Sequence, residues 1–187
     1  MKDREMDYFT ALYEVARVIN ASLEPSRVLE KIVRCVVDSM QIKACSLRLL
    51  DSQGNKLVMG AACGLSPRYV RKGPVLLKES GLDQKAMKGK TVWLKDAQTD
   101  KSFQYGEKAR TEGIKSVLVV PLKLEKSVVG VLRVYTDNVR KFRDREIQFL
   151  EAVANLSAIA LDNARFHKTL QTSCDLMTAH KYRIDDN

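Results

Sequence analysis

The stretch KSVLVVPLKLEKSVVGVLRVYT, residues 115–136, decides the fold. It holds two apolar, β-branched runs, Ser116–Leu124 and Val128–Tyr135, separated by the polar pair Glu125-Lys126. β-Branched side chains suit a pleated, packed surface, and two such runs joined by a short polar connection are typical of an antiparallel hairpin. Because the first run is apolar at almost every position, we expect a central strand that is covered on both faces.

Two residues inside this hairpin depart from the pattern of a plain strand. Pro121 has no N–H group to donate to a neighbouring strand, which predicts a bulge or a fraying of the pairing toward the hairpin tip. Gly130 has no side chain and leaves a gap beside the backbone. It therefore predicts either a close backbone contact or a place for a ligand.

Outside the hairpin, apolar periodicity predicts helices at both ends of the chain. Apolar residues recur at helical spacing over Asp7–Ala21, over Ser26–Met40 and from about Arg145 to about Leu170. Asp144 is placed to cap the last of these helices. Alternation, turn residues and helix caps between them predict three strands, Ala44–Leu50, Lys56–Cys63 and Thr91–Leu94, and short helices at 67–70, 79–88 and 104–112.

This order of elements predicts an α+β fold with a central antiparallel sheet of about five to six strands. A parallel doubly wound fold would need repeated βαβ units and a glycine-rich first turn, and the sequence contains neither. We expect three parts: an N-terminal helix (1–25), a main domain (26–170) and a polar tail (171–187).

Composition excludes several classes of function. No apolar run approaches the roughly 20 residues that span a bilayer, and the charged N-terminus lacks an apolar signal region, so we expect a cytoplasmic protein without a membrane partner. The net charge of +9 is spread along the chain without a helix-turn-helix, zinc-finger or RNP pattern. We therefore interpret the basic residues as a solvated surface and expect no nucleic-acid partner.

Catalytic and metal-binding patterns are also absent from the sequence. There is no GxSxG, P-loop, HExxH or CxxC motif, and His167 and His180 both lie near the C-terminus. The four cysteines lack the spacing of a disulfide framework or a metal site. The sequence thus predicts a protein that is not an enzyme and that needs no metal or cofactor.

Polar residues inside the predicted strands are the best candidates for a binding site. Arg48 and Arg133 interrupt apolar strands, and Ser116 lies at the start of another. A guanidinium on a covered sheet face must be paired, because an unpaired buried charge costs several kcal/mol. Its partner is either a carboxylate from a neighbouring helix or an anionic ligand held by two parallel hydrogen bonds. Four residues of the irregular middle of the chain could cover such a ligand: Tyr69, Lys72, Gln104 and Tyr105.

The end helices also predict an interaction between subunits. The terminal helix carries apolar residues on more than one face, so packing on its own sheet would leave an apolar patch. We expect this surface to form a homodimer. Its apolar stripes are Phe9, Leu12, Ala16 and Ile19 in the first helix, and Ile147, Leu150, Ala154, Ser157 and Leu161 in the last, with Val153, Leu156, Ile159 and Ala160 on a second side.

Several phrases of the sequence, together with the order of elements, resemble the GAF domain family, which has a PAS-like sensory architecture. The resemblance covers about residues 21–166. It rests on CSLRLLDSQGNKL (45–57), CGLSPRYVRKGP (63–74), KGKTVWLKDAQTD (88–100), EGIKSVLVVPLKLEKSVVGVLRVYTD (112–137) and FRDREIQFLEAVANLSAIALDNARF (142–166).

The resemblance implies that the terminal helices cover one face of the sheet and that the short helices and loops cover the other. It further implies a regulatory module that binds a small molecule, an anionic one if the arginines contact it, between the sheet and the segment 65–112. It also implies a homodimer that signals through its terminal helices to a partner protein in trans, or a fragment of a longer protein. Two alternatives stay open at this point. One is a small redox enzyme similar to the methionine-sulfoxide-reducing members of the family, with Cys63 as its nucleophile. The other is a dimerisation scaffold without a ligand.

Overall fold

The computed structural model of the chain describes residues 8–21 and 24–184, with side chains described through residue 176. The predicted start of the first helix at Asp7 lies outside these residues. Within them, no helix combines the length and the apolar character that crossing a bilayer requires. The elements are α1 (Tyr8–Asn20), α2 (Pro25–Met40), β1 (Ala44–Leu50), β2 (Lys56–Cys63), α3 (Pro67–Val70), β3 (Val75–Leu76), a 3-10 turn (Leu77–Glu79), α4 (Gly81–Met87), β4 (Val92–Leu94), α5 (Gly106–Glu112), β5 (Ser116–Leu124), β6 (Ser127–Thr136) and α6 (Asp144–Ile184).

The strands form a six-stranded sheet in the order β3-β2-β1-β6-β5-β4, and every neighbouring pair is antiparallel. The predicted hairpin supplies β5 and β6, and β1 pairs with the outer side of β6. Helices lie at both ends of the chain, so the predicted α+β class with a central antiparallel sheet is confirmed.

Pro121 and Gly130 both shape the hairpin. Pro121 pairs with Val131, and the register shifts by one residue between Leu122 and Lys123. The predicted bulge is therefore present, and it lies close to the proline. Gly130 lies opposite Leu49, and a Cβ atom added there would collide with the carbonyl oxygen of Arg48. Of the two expectations for Gly130, the close backbone contact is the one observed.

Alternating side chains give the sheet two differently covered faces. The helix face, which includes Cys45, Leu47, Leu118 and Leu132, packs against α1, α2 and α6. We call the opposite surface the lid face, because residues 65–112, the lid, fold over it. Its apolar part is a second core that contains Ala44, Leu57, Val117, Val119, Val131 and Tyr135 from the sheet, and Tyr69, Leu82, Ala86, Phe103 and Ala109 from the lid.

The helix α6 is longer than the sequence pattern predicts. Its predicted stripe is used inside the subunit, since Leu150, Ala154 and Ser157 are fully buried. Beyond that stripe the helix continues to Ile184, because no glycine or proline interrupts residues 144–184. The predicted second side is divided: Val153 is fully buried, whereas Ile159 exposes about half of its surface. Farther along the helix, Phe166 and Leu170 also expose about half or more of their surface.

Two features of the lid differ from prediction. The strand β3 was not predicted, because two residues are too short to show alternation. The helix predicted over 79–88 begins later, at Gly81, and a 3-10 turn precedes it. Helix ends of this kind are set by tertiary contacts as much as by propensity.

Candidate functional site

Two arginines extend from the sheet into the lid side of the molecule. Arg133 pairs with Ser46 across the β1–β6 ladder, and Arg48 follows two residues later on β1, so both lie on the lid face. Arg48 is 0% exposed and Arg133 is 1% exposed. Two guanidinium groups are thus buried on one side of one sheet, and each must be stabilised by something other than bulk water.

Arg133 has its partner inside the protein. It forms an ion pair with Asp83 of α4, and the Ser80 hydroxyl donates a hydrogen bond to the same carboxylate. The guanidinium also lies 5.9 Å from the ring centre of Phe103. Burial by itself lowers the pKa of Arg133, but the charge and hydrogen bond of Asp83, together with Tyr135 and Tyr69, outweigh burial and raise that pKa above its usual value. Of the two partners expected for a buried arginine, a helix carboxylate or an anionic ligand, Arg133 has the helix carboxylate.

Arg48 has no comparable partner. Its Nη1 atom donates one long hydrogen bond, 3.5 Å, to the Leu57 carbonyl oxygen. Its Nε and Nη2 atoms are buried without a hydrogen-bond partner in the part of the chain that the structure describes. Burial lowers the pKa of Arg48; the nearby Tyr135 opposes this effect, and the like charge of Arg133 adds to it. Arg48 is thus a buried cation on the lid face without a carboxylate partner.

Lys72 brings a third basic group to the same place. Its Nζ atom lies 3.2 Å from the ring centre of Tyr69 and 4.9 Å from that of Tyr105. The amine is buried and makes no hydrogen bond within the described residues. Burial, followed by the charges of Arg48 and Arg133, lowers the pKa of Lys72 to about 5. The amine is therefore neutral at pH 7 in the unliganded protein.

The end of α3 fixes the position of Tyr69 and hence of Lys72. Ser66 caps this helix by accepting a hydrogen bond from the Tyr69 N–H at 3.2 Å, and its own hydroxyl donates to Glu112 of α5 at 2.5 Å. The Tyr69 ring meets Tyr135 of β6 edge to face, with centres 6.2 Å apart. The lid helix is thereby attached to the sheet on one side and to α5 on the other.

Together these groups form what we call the cationic cluster: Arg48, Lys72 and Arg133, with Asp83 as its carboxylate. Five donor atoms of the cluster are unpaired within the described residues, and they are Arg48 Nε and Nη2, Arg133 Nε and Nη1, and Lys72 Nζ. Against these five donors, the described residues of the cluster have one unpaired acceptor atom, Asp83 Oδ1. Such an excess of donors fits a ligand that carries negative charge.

Two of the predicted lid residues have other roles in the structure. The Gln104 side chain accepts from the Leu76 N–H at 3.1 Å and donates to Glu79 at 2.8 Å, so it braces β3. The Tyr105 hydroxyl donates to the Pro74 carbonyl at 2.7 Å, while its ring faces Lys72. Gln104 therefore lies outside the cluster, and Tyr105 contributes to it through its ring alone.

Ser116 is not brought into the cluster. It lies on the side of β5 that carries Leu118, which is the helix face, and not on the side of the arginines. Its hydroxyl donates to the Lys95 carbonyl at 2.7 Å and accepts from the Arg140 N–H at 3.2 Å. These contacts connect the start of β5 to the segments that follow β4 and β6.

Sequence reasoning missed the acidic member of the site. Asp83 lies in a short polar helix, 50 positions from Arg133, and nothing local in the sequence connects the two. Tyr135 was a visible polar residue of its strand, and its hydroxyl forms a hydrogen bond of 3.0 Å with the Ser46 hydroxyl. The alternation of β6 was the signal that could have grouped Tyr135 with Arg133.

The structure gives no support to chemistry at Cys63. The residue is partly buried and packs with the helix-face core, opposite Cys45 in the β1–β2 ladder. Burial raises the pKa of Cys45 well above its usual value. Among the described residues, no group of three or more His, Cys, Asp or Glu side chains could hold a metal ion.

Comparison with known proteins identifies the family of the fold. A family model described as GAF domain matches residues 22–162. The chain is 25% identical over 165 residues to the Nif-specific regulatory protein of Rhizobium etli, a match that covers 84% of this chain but 28% of that protein. The chain therefore spans less than a third of the length of this relative.

Two solved structures share the fold. The GAF domain of an Acinetobacter phosphoenolpyruvate-protein phosphotransferase is 26% identical, with a TM-score of 0.73, and the match covers 88% of this chain and 96% of that one. Free methionine-R-sulfoxide reductase of Neisseria meningitidis, solved with its substrate, is 17% identical with a TM-score of 0.73, and the match covers 89% and 95%. The second likeness shows the fold alone. With its six-stranded antiparallel sheet, its terminal helices on one face and a family match over most of its length, the chain belongs to the GAF domain family.

Proposed function

We propose that this GAF domain is a sensory module that binds a small anion between the lid face of its sheet and the lid. The observation that carries the proposal is Arg48, a fully buried guanidinium with two unpaired nitrogens within the described residues. A carboxylate or phosphate group would accept two parallel hydrogen bonds from such a guanidinium. Binding would therefore remove the cost of an uncompensated charge.

The neighbouring groups favour an anion over a neutral ligand. Arg133 adds a second positive charge beside Arg48, and Asp83 is already engaged by Arg133. The Tyr69 hydroxyl is buried and unpaired within the described residues, and it can accept or donate one further hydrogen bond to the ligand. The cluster thus offers one carboxylate or phosphate position and a polar contact beside it.

The comparisons support a regulatory role for the binding event. The Rhizobium etli relative is a regulatory protein, and a domain of a sensor histidine kinase and a methyl-accepting chemotaxis protein share the fold. We infer that the chain passes its signal either to a partner protein in trans or to further parts of a longer protein. A ligand that binds one lid position better than another shifts the population toward that position.

We infer that the signal travels through a homodimer formed by the terminal helices. On α6, Ile159, Phe166 and Leu170 follow one another at spacings of seven and four residues, which is the spacing of a coiled-coil seam. All three are exposed. Phe9 of α1 is also largely exposed and adds apolar surface at the terminal helices.

Anion binding can be tested with a matched pair of variants. A thermal-shift screen of small carboxylates and phosphates should give at least one compound that raises the melting temperature, and calorimetry then gives its Kd. Arg48→Met should abolish this binding, whereas Arg68→Met, which removes an exposed arginine from the lid helix α3, should leave the Kd unchanged. If no anion binds, or if Arg48→Met binds like wild type, the proposed ligand class is wrong.

The dimer is tested independently of any ligand. Sedimentation velocity should show a dimer for the wild-type chain and a monomer for Phe166→Asp. His167→Asp changes the adjacent exposed residue, which lies off the seam, and should remain dimeric. A dimer without any anion binding would favour the scaffold alternative, and a monomeric wild type would contradict the proposed route of the signal.

A further inference from the structure

We propose that Lys72 is a site of reversible carbamylation, so that carbon dioxide is the ligand that this residue recognises. The inference rests on the cationic cluster of the proposed function, but not on the soluble anion that the cluster binds. It concerns an amine that is buried, that has no hydrogen-bond partner within the described residues and that lies 3.2 Å from the ring centre of Tyr69.

The surroundings of Lys72 keep its amine in the reactive form. The charged groups that act on it are Arg48 from β1, Arg133 from β6 and Lys108 from α5, against one carboxylate, Asp83 from α4. Burial and three positive neighbours both disfavour protonation, and the carboxylate is already paired with Arg133. Only an unprotonated amine has the lone pair that attacks carbon dioxide, and ordinary exposed lysines are almost fully protonated at pH 7.

The reaction balances without any further reagent. The Nζ lone pair forms the N–C bond with the carbon atom of carbon dioxide, and one C=O electron pair moves onto its oxygen. One N–H proton leaves to water, so that the products are a lysine carbamate with one negative charge and a proton. No oxidation or reduction takes place, and removal of carbon dioxide reverses the step.

The cluster is suited to hold the product better than the free amine. The carbamate has the planar, two-oxygen shape of a carboxylate, which an arginine binds with two parallel hydrogen bonds. Arg48 is the charged neighbour that lowers the pKa of Lys72 most, and its Nε and Nη2 atoms are unpaired within the described residues. Carbon dioxide is small and uncharged, so burial of the Lys72 amine hinders it less than it hinders a larger or charged electrophile.

The test uses the full chain equilibrated with ¹³C-labelled bicarbonate. A ¹³C carbamate resonance should appear in the wild-type spectrum, and trapping with a trialkyloxonium salt followed by peptide mass spectrometry should locate the adduct on Lys72. The resonance should be lost in Lys72→Met and kept in Lys88→Met, which removes an exposed lysine of the lid that is not among the charged groups acting on Lys72. Arg48→Met should lower the carbamate occupancy about tenfold, because one charge-assisted pair is lost.

Two results would overturn the proposal: a wild-type protein without an adduct on Lys72, or a resonance of unchanged intensity in Lys72→Met. Trapping on the wild-type chain locates the adduct directly, so this part of the test does not depend on the folding of Lys72→Met. Calorimetry with the soluble anion in carbon-dioxide-free buffer separates this inference from the proposed function. Anion binding without an adduct overturns the carbamate alone, and an adduct without anion binding overturns the soluble ligand alone.

Discussion

On its helix face the sheet buries aliphatic side chains such as Leu47, Leu118 and Leu132, and the helices that cover this face pack further apolar side chains against them. On its lid face the same strands bury Arg48 and Arg133 within a smaller apolar core. The two faces are built from alternate residues of the same strands, so chain connectivity does not distinguish them. The helix face thus stabilises the fold by aliphatic packing alone, whereas the lid face also has to accommodate buried charges.

The two arginines repeat this contrast within the lid face. Arg133 has an internal carboxylate, and Arg48 has one long hydrogen bond. A buried ion pair becomes costly when one member is removed, whereas an unpaired charge is costly while it is present. The same substitution should therefore have opposite effects on stability at the two positions.

The largest expected effect is at Arg133. Arg133→Met leaves the Asp83 carboxylate buried without its cation, and it should lower the free energy of unfolding by about 3–5 kcal/mol. Urea denaturation measures the loss. The double variant Arg133→Met with Asp83→Leu removes both charges and should regain most of the stability. A single variant as stable as wild type would show that Arg133 is not the structural partner of Asp83.

A comparable loss is expected on the helix face for a different reason. Leu132→Ala, one residue away on β6, removes a fully buried side chain and should cost about 2–5 kcal/mol through lost burial and a cavity. Its effect on the free energy of unfolding should be the same at pH 6 and pH 8, since no charged group is involved. A strong pH dependence of that loss would show that charged groups also contribute to stability on the helix face, and the contrast between the two faces would be wrong.

At Arg48 the sign should reverse. Arg48→Met removes unsatisfied buried donors at similar side-chain volume, and it should raise the free energy of unfolding of the unliganded protein by about 1–3 kcal/mol. Arg68→Met, at an exposed position, should change it by no more than about 0.5 kcal/mol. A destabilised Arg48→Met protein would mean that Arg48 contributes to the fold, and the contrast with Arg133 would fail.

The pH dependence set by Lys72 is expected to change the free energy of unfolding least, when the change is counted for each pH unit. Its pKa of about 5 in the folded chain lies below the ordinary lysine value, so the unfolded chain binds more protons between pH 5 and about 10. Stability should therefore rise with pH in this range, by up to about 1.4 kcal/mol per pH unit. Lys72→Met should remove this slope and Lys88→Met, at an exposed lysine outside the cluster, should retain it, as measured by urea denaturation from pH 6 to pH 8.

The fold was largely predictable because its strongest signals are local. The bounds of β1, β2 and β5 agree with their predicted ranges, since alternation and β-branched runs are read within a few residues. The identity of Asp83 as a partner was not predictable, because it depends on how α4 docks on a sheet formed elsewhere in the chain. Lys72 was among the predicted lid residues, but its burial was not predictable, because Tyr69 and Tyr105 approach it from different parts of the lid.

Ser116 lies away from the arginines for a geometric reason. From the turn at Glu125-Lys126, an unbroken hairpin would put Ser116 opposite Tyr135, on the side of Arg133. The bulge between Leu122 and Lys123 moves its partner to Thr136 and turns Ser116 to the helix face. Pro121 indicated that a bulge was present, but it did not indicate its position, which decides the residues of β5 whose side chains change from one face of the sheet to the other.

The length of α6 has a mechanical consequence. Its first half is held by α1 and β5, and from Leu161 to Ile184 it extends by about 35 Å at the usual rise of a helix. A rotation of the held portion by about 10° would move the far end by about 6 Å, if the rod stays straight. A rearrangement around Arg48 that leaves the sheet intact, if it rotates the held portion of α6 by this small angle, would therefore displace the far end of the helix by a distance that a neighbouring protein can detect.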